Sequence, residues 1–190
     1  MNLVEIGNQL VQIGNQLLAI QTSVPTPPLQ VGQIYQGGYI AYILQPGDPG
    51  YDANISHGLI SCYTSFGGGW IDNTYSTGFV NIATGVSFGT GPENTNEIIA
   101  TWGYSTAAGK CKNLNLSGYS DWYLGSAGEM AKIALNKDLI PYKYWNQNFP
   151  WTSTGNNRYG EEWPYIAYDD GSYYPSQISS SQTYFPIRYF

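Results

Sequence analysis

The residues with the most evident chemistry lie in the last fifty positions. Tyr144, Trp145, Tyr159, Tyr168, Tyr173 and Tyr174 are interleaved there with Asn156 and Asn157, and with carboxylates such as Glu161, Glu162, Asp169 and Asp170. Aromatic faces pack against the C–H faces of sugars, while amides take the hydroxyls. Tyr and Asn are also residues of antibody-type contact surfaces, where they give area at low entropic cost. The six aromatics and two amides are therefore candidate ligand-binding residues. The competing use is burial, because Trp and Tyr are highly buried on average.

Other constellations promise less. Asp169-Asp170-Gly171 could contribute to a calcium site, which needs six to eight oxygens. Asp-Gly is also a strong turn signal by itself, and a turn is the expectation. No cofactor is expected, with calcium the weaker alternative. Asp121 beside Trp122 reads as a structural acceptor in a turn. His57 stands in a strand-like His-Gly-Leu context with no nucleophile tied to it. Glu161-Glu162 imitates a glycosidase pair, but adjacent residues on a strand point to opposite faces. Without a catalytic constellation, the expectation is a protein that is not an enzyme. Arg188 is a lone cation among Tyr and Phe, suited to a salt bridge or a cation–π contact.

Composition narrows the partners. Charged residues make up 11% of the 190, far below the ordinary quarter, and the net charge is −6. The few Lys and Arg are scattered, so nucleic acid and anionic surfaces are poor partners. No apolar run is long enough to insert in a membrane. One His and two Cys are too few soft ligands for a zinc site. Cys62 and Cys111 could pair or stay as buried thiols. Residues 1–20 contain no Lys or Arg, so they lack the positive start of a secretory signal. With Met1 as the native start, a virion surface or another extracellular setting reached without a signal peptide is expected.

The elements that must carry these residues begin with a helix over 1–22. Leu3, Ile6, Leu10, Ile13, Leu17 and Ile20 follow the 3,4 spacing of a heptad seam. Ile-Gly-Asn-Gln-Leu occurs at 6–10 and again at 13–17. Leu at a and Ile at d favour trimers or tetramers over dimers. Val4, Val11 and Leu18 widen the stripe, so the alternative is an amphipathic helix lying on its own domain. Residues 23–30 hold three Pro in four positions and read as a stiff polyproline neck. A head domain over 31–190 follows.

Within the head, Tyr39 to Leu44 and Leu59 to Tyr63 read as strands, and 64–91 as a long loop. Glu93 to Leu114 reads as one helix. Trp122 to Leu124 is a short apolar segment. A second helix, capped by Gly125 or Ser126 with Glu129 in its first turn, runs to about Asn136. The last fifty residues read as short antiparallel strands with long loops. The class is α+β.

Several motifs together resemble the C-terminal domain of bacterial collagen-like adhesins, the Lcl C-terminal domain family. They are Gly37-Gly38 with the apolar run after it, His57-Gly58-Leu59-Ile60, Gly89-Thr90-Gly91 leading to Asn94-Thr95, and Ala107-Ala108-Gly-Lys-Cys111. Gly118-Tyr-Ser-Asp121-Trp122-Tyr123-Leu124, Trp151-Thr-Ser153 and Phe185-Pro-Ile-Arg188-Tyr-Phe190 complete the set. Order and spacing agree along 37–190. The resemblance implies a C-type-lectin-like fold, binding rather than catalysis, and trimers on a stalk, in surface adhesins and in phage or virus proteins. It also implies that Trp151 and Trp163 are structural. The chain departs from the family pattern at Leu124-Gly125-Ser126 and at Ala127-Gly128, and heptads replace the collagen-like repeat. The acidic ligands some of these adhesins take do not suit this acidic chain.

The expected function is an oligomeric surface-attachment protein, trimer preferred, with a receptor- or glycan-binding head on a virion or phage tail tip. Its partners are further copies of itself, a cell-surface glycan or protein receptor, and possible docking of the N-terminal helix onto another virion protein. The alternatives are a structural spike, decoration or adaptor protein without a ligand site, and a secreted bacterial adhesin.

Overall fold

The computed structural model describes residues 2–23, 28–71, 84–141, 149–158, 161–176 and 181–190; for 18–23, 157–158, 161–162 and 181 it describes the backbone alone. The chain opens with helix α1 (Leu3–Ser23). Asn2 caps it: the Glu5 amide donates to Asn2 Oδ1 at 3.0 Å, and the Asn2 amide donates to the Glu5 carboxylate at 2.9 Å. This reciprocal pair is a capping box, which satisfies two orphan donors of the first turn. Every described side chain of α1, from Leu3 to Leu17, is exposed, including Leu3, Leu10 and Leu17. The alternative in which the stripe lies on its own domain is therefore not realised over 3–17. Ile20 belongs to the helix, but its side chain lies outside the described ones, as does most of the Pro-rich neck.

Strands β1 (Ile34–Tyr35), β2 (Gly38–Ile43), β3 (Gly58–Cys62) and β4 (Phe66–Gly69) come next. The two apolar runs expected as strands are β2 and β3, each displaced by one residue. The stretch read as loop over 64–91 contains β4, a glycine-rich strand with no alternating pattern to betray it. Helices α2 (Gly91–Trp102) and α3 (Ala107–Lys112) follow, then β5 (Tyr123–Leu124) and α4 (Ala127–Ala134).

The single helix expected over 93–114 is two. Gly103, at φ +78°, ends α2 and donates its amide to Ile99. Thr106 then starts α3, accepting the Gly109 amide at 3.0 Å on its hydroxyl. The chain continues with β6 (Trp151–Arg158), β7 (Glu161–Ala167), β8 (Tyr173–Pro175), β9 (Ser181–Tyr184) and β10 (Pro186–Tyr189).

Among the described residues, ten strands form three antiparallel sheets. The largest has the order β1-β2-β3-β10-β5, β4 pairs with β9, and β6-β7-β8 make the third. The architecture is mixed α+β, with an N-terminal helix, four α-helices among the described residues and several antiparallel sheets.

The head core has three apolar clusters. Leu59 and Ile187 of the large sheet, with Phe185 between β9 and β10, meet Met130, Ile133 and Ala134 of α4. A second cluster joins Trp70, Ile98, Trp102, Cys111, Leu124, Trp151 and Ile166. Ile60, Cys62 and Trp122 make a third. Cys62 and Cys111 are both buried and are not joined in a disulfide.

Candidate functional site

Strands β6, β7 and β8 place the aromatic residues, and their pleat decides which of them meet. Asn156 on β6 is paired directly with Trp163 on β7, so the two share a face. Tyr165, two residues on, lies on that same face. Tyr165 is paired with Pro175 and Ala167 with Tyr173, which brings β8 onto it. The Tyr165 and Tyr173 rings lie 5.9 Å apart, tilted by 60°. The result is a strip of Asn156, Trp163, Tyr165 and Tyr173. Asn156 and Tyr173 are exposed, and Trp163 and Tyr165 are half-buried.

Tyr174 is adjacent to Tyr173 and so points to the opposite face. Its ring meets Tyr168 edge-on at 5.3 Å, and Tyr168 packs on Phe149 at 4.0 Å. Phe149 and Tyr168 pack against the second core cluster, with Tyr174 exposed at its rim. Tyr168, Tyr173 and Tyr174 therefore do not share one groove. They divide between the strip and the margin of the core. Tyr144, Trp145 and Tyr159 lie outside the described residues, as does the side chain of Asn157.

Trp163 does not behave as Trp151 does. Trp151 is fully buried and its indole N–H donates to the Gly68 carbonyl at 3.1 Å. Trp163 is half-buried, and its indole nitrogen has no hydrogen-bond partner. The structural role expected of both tryptophans is plain at Trp151, whereas Trp163 is only half-buried, with its indole nitrogen inaccessible. Trp163 and Tyr165 are the strip residues that the sequence reading passed over as site residues. The Trp-x-Tyr spacing between the glycines at 160 and 171 was the available signal, since period two puts both rings on one face.

The remaining constellations have structural partners. Arg188 donates to both Asp121 oxygens, at 2.6 and 2.9 Å, and to Gln36 at 2.7 Å. Its guanidinium lies 4.1 Å from the centre of the Tyr119 ring. The hydrogen bond from Arg188 holds the Asp121 carboxyl below its usual range. Residues 169–171 form a turn with Gly171 at φ +83°. Asp170 accepts the Ser172 amide, and Lys137 donates to the Asp169 carbonyl at 3.1 Å. His57 contacts the Phe190 carbonyl oxygen through Nδ1 at 3.2 Å. Among the described residues no group of three or more His, Cys, Asp or Glu is arranged to hold a metal. No helix among them is long and apolar enough to cross a membrane.

One buried carboxylate supports the frame under the strip. Ser126 caps α4 in a capping box with Glu129, whose carboxylate accepts the Ser126 amide at 2.7 Å. Glu129 also accepts the hydroxyls of Tyr123, at 3.1 Å, and Tyr189, at 2.9 Å. Burial pushes its carboxyl above the usual range, against the pull of those donors. Helix α4 packs on both β6 and β7, so the cap fixes the support of the strip. Compared with known proteins, the chain matches no family model and no curated protein.

Proposed function

We propose that this chain is a homo-oligomeric surface-attachment protein, trimer preferred. In this reading α1 bundles with its copies and presents C-type-lectin-like heads of the Lcl C-terminal type. The heads bind a neutral or amphipathic surface glycan or a protein receptor, in a virion or phage tail tip. The chemistry is reversible binding.

The observation that carries the reading is the strip of Asn156, Trp163, Tyr165 and Tyr173. It offers the aromatic faces of Trp163, Tyr165 and Tyr173 and the exposed amide of Asn156. Such a surface suits a ligand with C–H faces and hydroxyls. The net charge of −6 argues against an acidic ligand. Clustering weak head sites on one stalk raises avidity through effective concentration.

A second reading rests on the bare stripe of α1, which a different virion protein would cover equally well. The chain would then be a spike, decoration or adaptor protein, and the strip would have no ligand.

A glycan array probed with the full-length protein tests the first reading. It predicts a discrete set of hits that survives a calcium chelator and weakens about tenfold with Trp163→Ala or Tyr173→Ala. A blank array from protein of confirmed oligomeric mass favours the structural reading or a protein receptor.

A further inference from the structure

We infer that the head carries a second small-molecule site, a cleft under the connection between β2 and β3, that takes a neutral polyhydroxylated ring such as a hexose or cyclitol. It is separate from the aromatic strip and does not depend on it.

The connection spans residues 44–57, far longer than the two to five residues of an ordinary hairpin loop. Long connections inside compact domains are commonly functional, because a rigid scaffold can hold them in shape. Here the scaffold is visible. The Leu44 amide donates to the His57 carbonyl at 2.9 Å and closes the base. Asp48 accepts the Tyr42 hydroxyl at 2.6 Å and the Gln45 amide at 2.8 Å, and pairs with Lys132 at 3.4 Å. The Asn54 amide donates to Asp52 at 2.7 Å, which sets the tip. The loop is thus held by Asp48, Asp52 and its own backbone.

That frame encloses a cleft of about 280 Å³, at the small end of ligand pockets and sized for one ring. Gln45, Tyr51, Asp52, Asn54, Ile55 and His57 are among its lining residues, with Ser56 between the last two. Tyr51 and Ile55 are 40% and 56% exposed, so a ring face and an aliphatic side chain are accessible at the cleft. The side chains of Asn54 and Ser56 make no hydrogen bond among the described residues. Each can both donate and accept, as a sugar hydroxyl does. The Phe190 main-chain oxygen can only accept, so the His57 Nδ1 contact is a donation that orients the ring at the edge of the cleft.

The charges select against the other ligand classes. No Lys or Arg lines the cleft, so an anion would find no counter-charge. Asp52 is the one carboxylate there, and one oxygen of it is already committed to Asn54. A divalent cation needs several oxygen ligands. An apolar ring flanked by unpaired groups that both donate and accept matches a neutral polyol.

The test is a titration of the isotope-labelled full-length protein with glucose, galactose, mannose, N-acetylglucosamine and myo-inositol separately, following the backbone amides by nuclear magnetic resonance. For at least one probe, a saturable shift is expected at residues 51–57 with a midpoint in the millimolar range. Tyr51→Ala and Asn54→Ala should each raise that midpoint about tenfold, the loss of one ring or one hydrogen-bonding group. Trp163→Ala should leave it unchanged. Asn54→Asp, of the same shape at an exposed position, removes the amide donors and serves if Tyr51→Ala disturbs the loop. The proposal is overturned if no probe shifts 51–57 saturably, if the shifts are confined to 156–174, or if Trp163→Ala abolishes them. A blank glycan array alongside a saturable shift at 51–57 would remove a glycan from the strip and keep the cleft.

Discussion

Helices α1 and α4 begin with the same device and end in opposite circumstances. Asn2 and Glu5 make a capping box at one, and Ser126 and Glu129 make it at the other. At α4 the box is buried: Glu129 is wholly inaccessible, with two tyrosine hydroxyls on its carboxylate. At α1 the box stands in water, and the apolar stripe behind it is exposed over its described length. A good start therefore does not make a stable helix. Helix α4 has only eight residues, yet Met130, Ile133 and Ala134 lock it into the core. Helix α1 has 21 residues, two internal glycines and a seam that is exposed over the described side chains 3–17. Helical stability comes mainly from burying an amphipathic face, so α1 needs partners that α4 finds inside the head.

The largest expected effect breaks that contrast at its outer end. On the proposed oligomeric reading, Leu10→Asp with Ile13→Asp should convert the assembly to monomers, read as mass by light scattering. The melting of the head should stay where it was. An unchanged mass would mean that the seam is not the oligomer interface.

The buried box should respond differently. Glu129→Ala leaves the Tyr123 hydroxyl and the Ser126 amide without an acceptor, and should cost roughly 3 kcal/mol in urea unfolding, independent of protein concentration. The pH profile carries a second signature. Burial raises the Glu129 carboxyl in the folded head, so the native state holds its proton more tightly than the unfolded chain does. Its contribution is most favourable below the usual carboxylate range and is lost as pH rises through the raised value. Asp121, lowered by the hydrogen bond from Arg188, works the other way and loses its contribution as pH falls through its depressed value. Glu129→Gln should remove the first slope and leave the second. An identical profile in the variant would contradict the assignment.

The smallest effect sharpens the comparison. A Cβ added at Gly14 meets nothing within 4 Å in the single chain. Gly14→Ala should therefore raise the concentration-dependent melting of the assembly, by about 1 kcal/mol per chain. A loss instead would show that a partner helix occupies the glycine notch.

Much of the frame was legible because its signals are local. The α1 seam is written in spacing, β2 and β3 in apolar runs, and the α4 cap in Ser126 and Glu129. The break between α2 and α3 was not read, although Gly103 marks it, because apolar spacing alone continues across it. Strand β4 carries glycines where a strand signal would be, and exists through pairing with β9, more than a hundred residues away. The site was legible as a composition but not as an arrangement. Tyr173 and Tyr174 look equivalent in sequence, and the pleat sends them to different faces. Trp163 looked like Trp151 until the register put it beside Asn156. The cleft left no motif, since it is a property of how Asp48 folds a loop.

Strand β10 has a consequence for how the protein is made. It lies between β3 and β5, pairing residues 187–189 with 59–61. Without β10, β5 loses its one neighbour in the large sheet and β3 keeps an open edge, so the sheet completes only once residues 186–189 are in place. On the proposed oligomeric reading, the helices of neighbouring chains would meet before any head has closed. Removing residues 186–189 would then leave tethered, sticky heads rather than free unfolded monomers.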